Sequence, residues 1–83
     1  MTYEITFSKQ ATKLIKNLQL DVQKRIKNKF REISENPFRF IEHYEGDYYK
    51  LRIGDFRALI DVDKEKMVIL VRVFDKRSRI YER

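Results

Sequence analysis

The fold is decided between residues 48 and 60, which read YYKLRIGDFRALI. Apolar and polar side chains alternate on both sides of a central Gly-Asp pair, a pattern typical of two strands joined by a short hairpin turn. If the apolar side chains face a core, the opposite side of the sheet collects the hairpin cations Lys50, Arg52 and Arg57, together with Tyr48. This grouping of cations is the first indication of function.

The sequence before the hairpin predicts a strand followed by two helices. Residues 2–7 alternate with period two, and Ser8 is a candidate N-cap for a first helix. A second helix carries an apolar stripe that runs from Val22 to Ile33, with Asp21 as its candidate cap and Pro37 beyond its end. Residues 38–47 show no clear period and are predicted to form a loop.

The sequence after the hairpin predicts one more strand. Residues 67–74 are apolar at nearly every position, which indicates a central strand covered on both faces, and residues 75–83 are predicted to form a charged tail. The expected fold is α+β: an N-terminal strand, a helical hairpin and a three-stranded antiparallel meander, with the helices on one face of a curved sheet. All 83 residues are assigned to one domain.

Composition narrows the functional classes. The formal net charge is +6, which favours anionic partners such as nucleic acid or an acidic protein. There is no cysteine, and a single histidine cannot form a metal site, so we expect no metal and no disulfides. Neither a membrane span nor a signal peptide is recognisable, so a cytoplasmic protein is expected.

The basic side of the hairpin is a candidate binding surface. Like charges placed side by side destabilise a sheet unless an anion compensates them. The tail adds Lys76, Arg77 and Arg79 if it folds beside the sheet, and Tyr48 and Tyr81 offer rings for stacking on bases. The simpler alternative is a lattice of ion pairs with the nearby carboxylates Asp55, Asp61 and Asp75.

The chain resembles the RelE branch of the RelE/ParE toxin superfamily. The resemblance rests on the hairpin itself and on four flanking groups: Phe7-Ser8-Lys9 followed by Ala11 and Leu14, Asn36-Pro37-Phe38, Glu45-Gly46-Asp47, and Lys76-Arg77 with Tyr81. These occur in order over essentially the whole chain. Each piece is unspecific alone, but the ordered set is typical of the superfamily.

The resemblance implies the toxin of a type II toxin–antitoxin system. Such a toxin is a ribosome-dependent endoribonuclease that cleaves mRNA in the A site by attack of a 2′-OH on the phosphodiester, and it thereby inhibits translation. It needs no metal and no cofactor. The implied partners are the ribosome, mRNA and a cognate RelB-like antitoxin protein.

The resemblance also implies roles for single residues. Arg57 contacts the scissile phosphate, Arg77 stabilises or protonates the leaving group, Lys50 lies near the reacting atoms, and Tyr81 orients the nucleotide. The family position usually credited with general-base work is often lysine, and here it is Arg52. Because arginine keeps its proton at physiological pH, Arg52 is expected to clamp phosphate, which leaves Lys50 as the candidate base.

Other departures and residues point away from histidine chemistry. Sister families place histidine beside the Arg77 position, where this chain has Lys76. His43 is expected to be a loop residue without a catalytic part, and Asp55 a structural residue of the turn. The spacing between Arg77 and Tyr81 is shorter than in the best-studied branch, and so is the hairpin turn.

Three alternative functions share this sequence pattern. A ParE-like toxin would inhibit a topoisomerase and cleave nothing, and it would not require the phosphate-clamping cations. A plain RNA- or DNA-binding module would show steep salt dependence without a product. An inactive homologue would survive as an antitoxin-binding protein, and the arginine at position 52 keeps that alternative open.

Overall fold

A computed structural model of the chain describes residues 2–46 and 48–76. Two helices and five strands follow one another, with a 3₁₀ turn between: β1 (Glu4–Phe7), α1 (Lys9–Lys16), α2 (Leu20–Glu35), the turn Pro37–Arg39, β2 (Ile41–Glu45), β3 (Tyr48–Ile53), β4 (Phe56–Asp63) and β5 (Val68–Lys76). Neither described helix is long and apolar enough to cross a membrane.

The five strands form one sheet in the order β1-β5-β4-β3-β2. Strands β2 to β5 are antiparallel neighbours, whereas β1 returns to pair in parallel with β5. A parallel pair needs a long crossover, and the two helices supply it. The predicted α+β class and the central position of the apolar strand β5 are therefore confirmed.

One side of the sheet packs against the helices. Phe30 of α2 lies 6.1 Å from the ring of Phe74, which stacks at 5.2 Å on Phe56. The shared core contains thirteen buried apolar residues: Ala11, Ile15, Ile26, Phe30, Ile33, Ile41, Leu51, Ile53, Ala58, Ile60, Ile69, Val71 and Phe74. The predicted orientation of the hairpin is confirmed, since its apolar residues lie in this core.

The helix starts show one correct and one wrong prediction. Ser8 caps α1 as predicted: its hydroxyl accepts from the amide of Ala11 at 3.1 Å and donates to the carbonyl of Arg72 at 2.6 Å. Asp21 was expected to cap α2, but that helix begins at Leu20, after the N-cap residue Gln19, two residues earlier than a cap at Asp21 implies. Asp21 lies in the first turn, where its negative charge interacts favourably with the positive end of the helix dipole.

The predicted loop at residues 38–47 is wrong, and the meander has four strands instead of three. The 3₁₀ turn ends at Arg39, and β2 then pairs with β3, with Ile41 opposite Leu51 and His43 opposite Tyr49. Strand β2 lies at the sheet edge, where its stability comes from the hydrogen-bond ladder with β3. Its own sequence alternates only weakly, so periodicity alone does not reveal it.

The C-terminal boundary of the sheet also differs from the prediction. Strand β5 continues through Asp75 and Lys76, two residues that were assigned to the tail. The face of β5 away from the helices is half-buried at Leu70 and Val73 and exposed at Arg72, so it is less covered than expected.

Truncating a core side chain tests this packing. Ile33→Ala removes a fully buried side chain of α2, and we expect it to lower the free energy of unfolding by about 2–5 kcal/mol. Leu20→Ala, at a residue that is 75% exposed on the same helix, is the control and should change stability by less than about 0.5 kcal/mol. Urea titration followed by circular dichroism measures both, and equal losses would contradict the core assignment.

Candidate functional site

The side of the sheet without helices, called the open face below, carries a basic cavity. Its volume is about 280 Å³, and it is lined by Phe40, Glu42, Lys50, Leu51, Arg52 and Arg57. The three cations come from two adjacent strands, and the cavity contains one carboxylate. The described structure therefore brings together Lys50, Arg52 and Arg57 around a space that an anion can enter.

The two arginines of the basic cavity lie directly opposite each other. Arg52 of β3 pairs with Arg57 of β4, and Arg57 pairs in turn with Asp75 of β5. Arg57 is only 7% exposed and Asp75 only 2%. In the register of the sheet, the buried Arg57 therefore lies between Arg52 and the buried carboxylate Asp75. The Arg52 side chain, in contrast, is exposed.

Arg57 is also fixed by the hairpin turn. Its Nη1 donates to the carbonyl of Gly54 at 3.0 Å and to that of Phe56 at 2.9 Å. Gly54 has a φ of +56°, a conformation that glycine adopts without strain. The predicted Gly-Asp turn is thus confirmed, and it holds the guanidinium at the wall of the basic cavity.

Lys50 forms an ion pair that the sequence did not predict. Its Nζ lies 3.6 Å from Oε2 of Glu42, which stands opposite it on β2. Glu42 was missed because its segment was assigned to a loop. The pattern offered one weak signal, a glutamate next to Ile41, and only the register of β2 brings its carboxylate to the basic cavity.

A second concavity is lined in part by Tyr48, which lies two residues from Lys50 on the same side of β3. Arg72 lies at a β-bulge: Leu59 pairs with Val73 and Ile60 with Val71, which leaves Arg72 as the extra residue of β5. Bulges re-aim side chains. Arg72 forms a salt bridge with Asp61, and its guanidinium carbon lies 5.5 Å from the ring centroid of Tyr48.

Electrostatics fix the charge of Arg72. Its hydrogen bond to Asp61, together with the negative charge of that carboxylate, raises the pKa of the Arg72 guanidinium.

The alternative prediction, that the nearby carboxylates form a lattice of ion pairs with the hairpin cations, agrees only in part with the structure. Asp61 binds Arg72 and no cation of the hairpin, and Asp55 forms no ion pair within residues 2–46 and 48–76.

The remaining predicted residues do not line the basic cavity or lie outside the described residues. Lys76 is exposed at the end of β5 and pairs with Phe56, whose side chain points to the helix side. Arg77, Arg79 and Tyr81 lie outside the described residues. His43 belongs to strand β2 and not to a loop; its Nε2 donates to the carbonyl of Gly46 at 2.7 Å. The described ranges contain no cluster of three or more His, Cys, Asp or Glu suited to a metal.

Comparison with known proteins identifies the family. Residues 5–81 match the sequence model described as the ParE toxin of the type II toxin–antitoxin system parDE. The chain therefore belongs to this toxin family, within the RelE/ParE superfamily that the hairpin indicated. No functionally curated protein matches the sequence significantly.

Solved structures similar to this chain include RelE toxins, both in complexes with antitoxins and in isolation. The archaeal RelE–RelB complex of Pyrococcus horikoshii matches with a TM-score of 0.76 and 25% identity over 95% of this chain and 99% of that one. The Escherichia coli RelBE complex gives 0.73 and 27% over 89% and 95%. The RelBE2 complex of Mycobacterium tuberculosis gives 0.81 at 20% identity over 93% and 100%, a likeness of fold alone.

The bonds of Arg57 predict a structural contribution. Arg57→Ala leaves the carbonyls of Gly54 and Phe56 without this donor, so we expect a loss of about 1–3 kcal/mol in the free energy of unfolding. Arg52→Ala, on the exposed partner, should change stability by less than about 0.5 kcal/mol. Thermal and urea unfolding measure both, and a neutral Arg57→Ala would show that the turn does not depend on its guanidinium.

Proposed function

We propose that the chain is an mRNA endoribonuclease toxin that cuts codons in the ribosomal A site and so inhibits translation. The observation that supports this proposal most is the basic cavity, in which Lys50, Arg52 and Arg57 surround a space of about 280 Å³. A phosphorane transition state carries extra negative charge, and fixed cations stabilise it. The proposed activity belongs to the cytoplasm, where ribosomes translate.

The proposed reaction is a transesterification. The ribose 2′ oxygen forms a bond to the adjacent phosphorus, the bond from phosphorus to the 5′ oxygen breaks, and the products are a 2′,3′-cyclic phosphate and a 5′-OH. One group removes the 2′-OH proton and another delivers a proton to the leaving oxygen. No metal or cofactor takes part in the proposed scheme.

Arg52 and Arg57 are the proposed clamps on the scissile phosphate. Arg57 is preorganised, because hydrogen bonds to the carbonyls of Gly54 and Phe56 hold its guanidinium before substrate arrives. Arg77 as stabiliser of the leaving group, Tyr81 as orienting ring, and Tyr48, Lys76 and Arg79 as RNA contacts remain proposals from the sequence and the resemblance.

The ion pair between Lys50 and Glu42 adds a second candidate for the general base. The Nζ of Lys50 lies 3.6 Å from Oε2 of Glu42, so Lys50 is placed to stabilise negative charge in addition to its proposed role as base. Glu42 is the one carboxylate of the basic cavity, and it is exposed to an incoming 2′-OH. We therefore propose Glu42 as an alternative general base to Lys50.

A cognate antitoxin is the proposed regulator. The P. horikoshii and E. coli relatives are complexes of RelE with RelB. By analogy we propose that a RelB-like protein covers the basic cavity on the open face and thereby inhibits this chain. A net charge of +6 favours an acidic partner for that role.

The second candidate function is inhibition of a topoisomerase. It is favoured by the matching family description, which names ParE toxins. It gives no task to three cations around one cavity, and for that reason we rank it second.

Toeprinting of translating ribosomes tests the proposal. Wild-type protein should produce cuts within the A-site codon, and Arg52→Ala should reduce the cleavage rate by about 10²-fold or more, because one transition-state clamp is lost. Arg31→Ala removes the same charge from the exposed face of α2 and should cleave normally. Intact mRNA together with inhibited DNA gyrase would instead establish the ParE-like function.

Glu42→Gln separates binding from catalysis. It removes the negative charge of the basic cavity but keeps the shape, so RNA should bind more tightly while single-turnover cleavage falls by about 10²-fold or more. Lys50→Met should weaken binding and cleavage together. Unchanged or faster cleavage by Glu42→Gln would rule out the proposed base.

A further inference from the structure

Three residues from three adjacent strands are linked by side-chain contacts around the ring of Tyr48, two residues along β3 from Lys50. Tyr48 of β3, Asp61 of β4 and Arg72 of β5 are joined by the salt bridge and by the contact between guanidinium and ring. We call these three residues the aromatic platform. The Tyr48 residue remains 37% exposed although Arg72 lies against its ring. The cation–π contact attracts the guanidinium to the ring, and the exposed part of Tyr48 is accessible to a second partner.

The platform opens onto a concavity whose charge differs from that of the basic cavity. This concavity has a volume of about 900 Å³, and its walls include three carboxylates (Asp61, Asp63, Glu65) and two cations (Lys64, Arg72). The basic cavity has three cations and one carboxylate. A phosphate therefore prefers the basic cavity, whereas an uncharged group with N–H donors suits the concavity.

The two sites also have a suitable separation. Tyr48 and Lys50 lie on the same side of β3, two residues apart, which corresponds to about 6.6 Å along a strand. One nucleotide can span that separation with its phosphate at Lys50 and its base near Tyr48. Carboxylates at the walls can accept hydrogen bonds from the amino or imino groups of a base edge.

We propose that the aromatic platform is a nucleobase subsite, in which a base adjoining the scissile phosphate stacks on Tyr48. Asp61 and Arg72 are positioning residues: they fix the ring and do not touch the reacting atoms. This inference rests on the proposed function in taking RNA as the ligand and in placing its phosphate at the basic cavity. The inference assigns a function to the β-bulge at Arg72, which has no part in the proposed cleavage reaction.

Stacking is measured without cleavage. The probe is a short oligoribonucleotide that carries 2-aminopurine next to a nucleotide with a 2′-O-methyl group, which blocks the attack. Stacking quenches the fluorescence of 2-aminopurine, so wild-type protein should quench it on binding. Tyr48→Phe should retain the quenching, and Tyr48→Ala should abolish it and weaken binding roughly 5- to 150-fold.

Controls separate stacking from general loss of affinity. Tyr44→Ala removes a comparably exposed tyrosine, 39% against 37%, from the neighbouring strand β2 and should quench as wild type does. An oligonucleotide that is abasic at the probe position should bind wild type and Tyr48→Ala equally. The salt dependence of binding should also be equal, since no phosphate contact changes.

The positioning residues have their own signature. Arg72→Met and Asp61→Asn should reduce quenching and base-dependent affinity, Arg72→Lys should restore part of both, and Arg72→Met should add nothing to Tyr48→Ala. Quenching by Tyr48→Ala equal to wild type, or equal losses with the abasic oligonucleotide, would overturn the subsite. Base-dependent quenching by a wild-type protein that never cuts mRNA would refute the nuclease proposal and keep the subsite.

Discussion

Burial of one face of the β3–β4 hairpin is the constraint on which the rest depends. Leu51, Ala58 and Ile60 are at most 2% exposed because the helical layer covers them. In a pleated strand the intervening residues must then point the other way. The same packing that stabilises the sheet therefore collects Lys50, Arg52 and Arg57 on the open face. The free energy gained by burying the apolar residues therefore holds these cations close together despite their mutual repulsion.

The structure limits the cost of this arrangement. Arg52 and Arg57 are direct neighbours, and such like-charge pairs destabilise a sheet. The turn carbonyls bind Arg57, the buried Asp75 lies on its other side, and Glu42 pairs with Lys50. The turn carbonyls and the two carboxylates are all hydrogen-bond acceptors, so they reduce the repulsion among the cations. The cavity stays net positive because three cations face a single carboxylate along its wall, and that surplus is what a phosphate can neutralise.

Sequence reasoning succeeded where the pattern was strong and local. The hairpin parity, the Ser8 cap and the helical stripes follow from period and capping chemistry, and all are present in the structure. It failed where tertiary pairing decides the outcome. Strand β2 exists because β3 offers a partner, so Glu42 could not be placed beside Lys50. The bulge at Arg72 breaks the alternation of β5 and depends on the register with β4, which sequence alone does not give.

We propose that the hairpin cations Lys50, Arg52 and Arg57 together bind the phosphate of an RNA strand. The most direct measurement is the salt dependence of binding to an RNA that cannot be cut. Affinity should fall steeply with salt for the wild type, and Arg52→Ala should lower the slope of log K against log salt by about 0.7, the value for one phosphate contact on a single strand. A slope that is the same in wild type and Arg52→Ala would contradict the account.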